Sequence, residues 1–144
     1  MTKATRKLLL VDRYQSATGP VIIIYGPLDA DFESLASLFE SLGTSEDQSI
    51  ELCLQPFISC RNSIRLQLAN TAPFGVFSED NSSASPGVAV SLLWRCVAGE
   101  WQDRAIQIRT LCVDKFPSHQ YLAKDPGSKS VLVASRGEYD SKYA

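Results

Sequence analysis

Apolar positions change their spacing along this chain, and each spacing predicts a different element. Residues 7–14 and 21–25 carry the runs Leu8-Leu9-Leu10-Val11 and Val21-Ile22-Ile23-Ile24-Tyr25, the second rich in β-branched residues. Such runs, parted by the turn residues Thr18-Gly19-Pro20, predict two strands, the second central in its sheet. The spacing then becomes helical. Phe32, Leu35, Ala36, Phe39 and Leu42 follow i, i+3, i+4, i+7, with Leu38 widening the stripe. Asp29 stands as N-cap, Asp31 and Glu33 lie near the positive end of the dipole, and Gly43 stops the run. One main helix is predicted over 30–42, and its apolar stripe requires a sheet to cover it.

Alternation follows. Ile50, Leu52 and Leu54 point one way against Glu51, Cys53 and Gln55, and Pro56 interrupts the ladder. Ile64, Leu66 and Leu68 alternate with Arg65 and Gln67, so the polar "SCRN" between the two runs predicts a hairpin. Residues 70–87 break the pattern and predict a long surface loop. Val88 to Cys96 alternates again, Ala98-Gly99-Glu100 reads as a turn, and residues 104–113 read as a strand with Ile106 and Ile108 inward and Gln107 and Arg109 outward. "HQYLAK" and "KSVLVAS" flank Asp125-Pro126-Gly127, a type II turn signal, and predict a closing hairpin. Residues 137–144 read as a frayed tail. The expected fold is α+β, a strongly twisted antiparallel sheet of about eight strands packed against the one helix. Residues 1–144 read as a single globular domain.

Composition narrows the function classes. The chain has 144 residues, 44% apolar and 21% charged, the balance of an ordinary globular domain. A formal net charge of −2 argues against nucleic acid as partner, since phosphate binding wants a basic surface. No apolar run approaches the length of a membrane span, and the four apolar residues before Asp12 fall short of the roughly 7–15 of a signal-peptide core. The expected location is therefore the cytoplasm. Cys53, Cys60, Cys96 and Cys112 contain no C-x-x-C spacing, which disfavours a zinc site. In the predicted 88–113 hairpin Cys96 and Cys112 would lie roughly 25 Å apart. A disulfide needs Cα atoms within about 7 Å. In the 50–68 hairpin Cys53 would face Leu68, with Cys60 in the turn. Neither hairpin joins its own two cysteines; pairs between the two hairpins stay open, and free, largely buried thiols are expected.

Candidate chemistry is sparse. There is no G-x-S-x-G, no phosphate-binding glycine loop and no H-E-x-x-H, so neither metal nor cofactor is expected. Cys112, Asp114 and His119, the single histidine, lie close enough in sequence to form a nucleophile, base and orienting carboxylate. Two binding surfaces compete with that reading. Phe74, Phe77, Glu79 and Asp80 on the long loop, with Trp101, combine aromatic anchors with acidic charge, the usual make-up of a protein interface. Arg65, Gln67, Arg95, Gln107 and Arg109 would line the outward sheet face, where planar guanidinium groups recognise carboxylates.

The closing "HQYL…SVLVASRGEY" is similar to C-terminal hairpins of the small cytoplasmic immunity proteins that bacteria pair with secreted toxins. The resemblance covers this hairpin alone and carries no site residues with it. It implies a non-catalytic protein that neutralises a toxin by tight binding over its active site, with the acidic loop complementing a basic cleft. The alternatives are a small enzyme or small-molecule binder with a pocket in the curled sheet, and a structural subunit that self-associates through the arginine face.

Overall fold

The computed structural model describes residues 8–17, 19–27, 30–44, 48–61, 64–71, 75–78, 90–113, 117–124 and 131–137. The elements run β1 (Leu9–Ser16), β2 (Gly19–Gly26), α1 (Phe32–Leu42), β3 (Ser49–Glu51), a 3-10 turn (Leu52–Leu54), β4 (Ile58–Cys60), β5 (Ile64–Asn70), β6 (Gly75–Ser78), β7 (Val90–Cys96), α2 (Ala98–Val113), β8 (Ser118–Lys124) and β9 (Val131–Arg136). The α+β class stands. The single antiparallel sheet does not: the strands form two mixed sheets, one ordered β4-β1-β2-β9-β8 and one ordered β3-β5-β7-β6. β1/β4, β2/β9 and β5/β7 pair in parallel, and the other neighbours are antiparallel. Parallel neighbours cannot be joined by tight turns, so reading consecutive strands as hairpins misses them.

α1 matches its stripe, since Phe32, Leu35, Ala36, Phe39 and Leu42 are all buried. Its cap is Asp31 rather than Asp29: the Asp31 carboxylate accepts from the backbone N–H of Ser34 at 3.1 Å and from the Ser34 hydroxyl at 2.9 Å. Gly43 closes the helix by donating its N–H to the Phe39 carbonyl, and a Cβ there would meet the Ala98 carbonyl of α2 at 3.1 Å. The glycine thus lets the two helices approach.

The predicted turn at 98–101 and strand over 104–113 are one helix, α2. Its buried residues Trp101, Ala105, Ile108 and Leu111 recur at helical spacing. Ile106 and Ile108, which alternation would place together, separate: Ile108 is buried and Ile106 is 61% exposed. A start signal also lies in the sequence. The Glu100 carboxylate accepts from the Val97 N–H at 3.0 Å, the return half of a capping box, and the Val97 carbonyl accepts from Glu100 and Trp101. α1 and α2 run antiparallel, with Gln102 against Glu40 and Arg109 against Glu33.

The main core is a cluster drawn from both sheets and both helices. At its centre Trp94 and Trp101 stand 4.7 Å apart, with Phe39 5.5 Å and 5.2 Å from them. Trp101 Nε1 donates to the Ala69 carbonyl of β5 at 3.0 Å, and the buried Asn70 donates through Nδ2 to the Leu42 carbonyl at the end of α1 at 2.7 Å. The sheets meet where β1 contacts β5 and β6 contacts β8.

The region read as a loop at 70–87 contains β6, paired with β7 from Gly75↔Arg95 to Ser78↔Leu92; residues 72–74 and 79–87 lie outside the described residues. At the tail, Gly137 adopts φ 75°, a left-handed conformation natural to glycine, and donates to the Gly26 carbonyl at 2.7 Å. Residues 138–144 lie outside the description.

The expectation of four free thiols is overturned. Cys53 and Cys60 form a disulfide with Cα atoms 5.5 Å apart. β3 pairs with β5 as the hairpin predicts, Ile50↔Leu68 and Glu51↔Gln67, but it ends at Glu51. The 3-10 turn and the residues after it then reverse the chain and bring 60 back to 53. Cys96 and Cys112 are free.

Replacing Trp101 by Ala is expected to cost about 3–5 kcal/mol in urea unfolding, whereas Ile106→Ser should stay within about 0.5 kcal/mol of the parent. Equal costs at the two positions would contradict a helical α2 seated by Trp101.

Candidate interaction face

The sheet ordered β4-β1-β2-β9-β8 has two unlike faces. Leu9, Val11, Ile22, Ile24, Leu132 and Ala134 face the helices and belong to the main core. The opposite face is set by register. One row across it runs Leu10–Tyr25–Ser135–His119, and the next runs Asp12–Ile23–Val133–Tyr121. Val21, Ile23, Tyr25 and Val133 form a second buried apolar cluster there, with Leu10 packed against it. Tyr14 on β1, opposite Val21, is 45% exposed, and Tyr121 on β8 is 65% exposed. His119 is exposed and meets Tyr121 edge-on, ring centroids 5.3 Å apart.

The polar groups on this face are partnered. Tyr25 is hydrogen-bonded with Arg61, and Asp12 stands near it. Burial pushes the Tyr25 phenol above its ordinary range; Arg61 opposes the shift and Asp12 adds to it. Ser135 is buried. Together the rows form an apolar centre flanked by exposed tyrosines and a histidine.

β8 is held to α2 along its other side. Arg104 donates to the Leu122 carbonyl at 3.1 Å and Gln107 donates to the Tyr121 carbonyl at 3.0 Å, while on the neighbouring β9 Arg136 donates to the Leu111 carbonyl in the last turn of α2 at 3.2 Å. These bonds orient β8 so that His119 and Tyr121 face away from the helix.

That geometry decides the fate of the candidate chemistry. Cys112 lies in the last turn of α2, on the helix side of the sheet, and His119 lies on the opposite side. The sheet separates them, so no cysteine–histidine pair forms; Asp114 lies outside the described residues. Burial raises the Cys112 thiol above its ordinary range and Glu33 adds to the rise, against the nearby Arg136 and Arg109. Among the described residues no group of three or more His, Cys, Asp or Glu side chains is placed to hold a metal ion.

The arginine face is also divided. Arg65, Gln67 and Arg95 share one face of the second sheet, but Gln107 and Arg109 belong to α2. Arg65 pairs with Glu51 of β3 at 3.2 Å. Arg109 bridges the helices, reaching Glu33 at 3.0 Å and Glu40 at 2.6 Å. The hydrogen bond from Arg109 holds the Glu40 carboxyl below the ordinary carboxylate range. These cations serve the fold rather than a single recognition row.

Of the aromatic-acidic set, Trp101 is wholly buried in the core and cannot act as a surface anchor. Phe77 lies on β6, its backbone opposite Leu93. Phe74, Glu79 and Asp80 lie outside the described residues. The residues missed from sequence are Tyr14, Tyr25, Tyr121 and Ser135. The signal for Tyr25 and Ser135 was present in "VIIIYG" and "SVLVAS", which are apolar at consecutive positions and so fit strands buried on both faces; Tyr14 and Tyr121 carried no such signal.

No family model, curated protein or solved structure matches the chain. Among the described residues no helix is long and apolar enough to cross a membrane.

Burial pushes the Cys96 thiol up to about 12, with Glu100 adding to the rise, so it stays protonated at neutral pH. Alkylation of the native protein, read by peptide mass spectrometry, is therefore expected to label Cys112 before Cys96, and only as the pH is raised. Rapid neutral-pH labelling of Cys112 would mean an activated thiolate. His119→Ala is expected to leave stability within about 0.5 kcal/mol, as for an exposed side chain.

Proposed function

We propose that this chain is a non-catalytic protein-binding domain, an inhibitor of the immunity type that neutralises a partner, such as a bacterial toxin domain, by covering its active site. The observation that supports this most is the outer sheet face, where Tyr14, Tyr121 and His119 flank a buried apolar centre. Tyrosines on rigid strands offer large, amphipathic contact area at low entropic cost, which suits them as anchors. Phe74, Phe77, Glu79 and Asp80 remain the proposed acidic-aromatic flank, meeting a basic cleft on the partner. Trp101 leaves that set because the core holds it.

Cytoplasmic residence belongs to the same proposal, and the disulfide sets a condition on it. Cytosolic thiol systems keep cysteines reduced, so there the Cys53–Cys60 pair would be a reducible bond rather than a permanent staple.

The test is affinity capture of the tagged chain from its host lysate, with size exclusion of the pure protein alongside. One dominant stoichiometric partner is expected, lost on Tyr14→Asp with Tyr121→Asp and weakened by Glu79→Lys with Asp80→Lys, while the far-UV spectrum is retained. A chain recovered alone and monomeric would remove the binding role, and a partner indifferent to all four changes would displace the proposed surface.

A further inference from the structure

The disulfide crosslinks the 3-10 turn to the end of β4, two segments that also touch and share the main core through Leu52, Phe57 and Ile58. Cys53 lies in the 3-10 turn, which packs on β5 of the second sheet; Cys60 ends β4, an edge strand of the first. β4 is three residues long and, among the described residues, pairs only with β1, Leu9↔Ile58 to Val11↔Cys60. The Leu9 N–H donates to the Phe57 carbonyl at 2.9 Å, and the Arg61 N–H donates to the Val11 carbonyl at 2.8 Å. A three-residue edge strand has little ladder of its own, so its attachment rests on the buried Phe57 and Ile58 and on what pins its ends.

Both oxidation states fit the site. Cys53 Sγ lies 3.3 Å from the Ile64 carbonyl, a position from which a free thiol can donate its hydrogen. Both cysteines are half-buried rather than sealed in the core, which leaves the bond within reach of a small thiol.

We propose that Cys53–Cys60 is a reversible redox latch that holds edge strand β4 on β1, and that its reduction releases β4 while the rest of the sheet stays folded. In the exchange a reductant thiolate attacks one protein sulfur, forming a mixed disulfide and expelling the other cysteine as thiolate. A second reductant thiol then attacks the mixed disulfide, freeing the first cysteine. Two electrons pass to the protein, which gains two thiols, and the reductant leaves as its own disulfide. Released, β4 leaves the backbone edge of β1 open at Leu9–Val11. The inference is independent of the proposed binding role.

Hydrogen exchange with mass spectrometry tests it on the full chain, oxidised, reduced with dithiothreitol and reoxidised, and on the Cys53→Ser/Cys60→Ser double variant. The expected result is exchange about tenfold or more faster in peptides covering 57–61 and 9–11 on reduction, no change in β2 and β9, and recovery on reoxidation. The double variant should match the reduced chain; should it fail to fold, the reduced parent carries the test alone. Unchanged exchange at β4 on reduction would overturn the latch. So would acceleration spread through β2 and β9, which would mark a global staple, or an air-oxidised chain whose intact mass and alkylation show both cysteines free.

Discussion

The contact of Trp101 with Trp94 and Phe39 is the constraint from which the helix layer follows. It ties α2 to β7 and to α1 at once, and the indole N–H bonded to Ala69 adds β5. Asn70, the next residue, caps the end of α1 through Leu42. Two adjacent residues of β5 therefore fix the ends of both helices. A buried donor left without its partner is costly, so this geometry resists small shifts in a way that apolar packing alone does not. With the helices set, Arg104, Gln107 and Arg136 can bond between α2 and the closing hairpin, and β8 is turned to present His119 and Tyr121 outward.

Much of this was visible in the sequence, and the misses share a cause. The α1 stripe and the hairpins of β1 with β2 and of β8 with β9 were readable because each rests on local periodicity. α2 was misread because Ile106 and Ile108 mimic alternation over the one stretch where the helical set Trp101, Ala105, Ile108 and Leu111 has an extra exposed isoleucine. The parallel pairs β2/β9 and β5/β7 are invisible to local patterns, since their partners lie far apart in the chain. The disulfide was missed for a related reason. Alternation through residue 55 suggested a continuous strand, whereas the ladder stops at Glu51 and the chain folds back.

The candidate site was less visible than the fold. Its members come from β1, β2, β8 and β9, and only register brings Tyr25 beside Ser135 and Val133 beside Tyr121. Proximity in sequence instead favoured Cys112 with His119, which the sheet separates. Of the arginines expected to recognise a ligand, Arg65 and Arg109 pair with glutamates of the fold, so their presence in the sequence carried little information about binding.

That division bears on how an occluding partner of the proposed kind would work. Arginines committed to internal pairs contribute little free positive field, and the chain as a whole is weakly acidic. Charge then acts at a distance, through acidic residues such as Glu79 and Asp80, which would raise the rate of encounter with a basic cleft and fade with added salt. Tyrosines on the sheet act only in contact, by desolvated packing that slows escape. Because the two sets lie on different parts of the chain, the approach and the hold of such a complex would respond to separate substitutions: charge reversal would slow association, and loss of the tyrosines would speed dissociation.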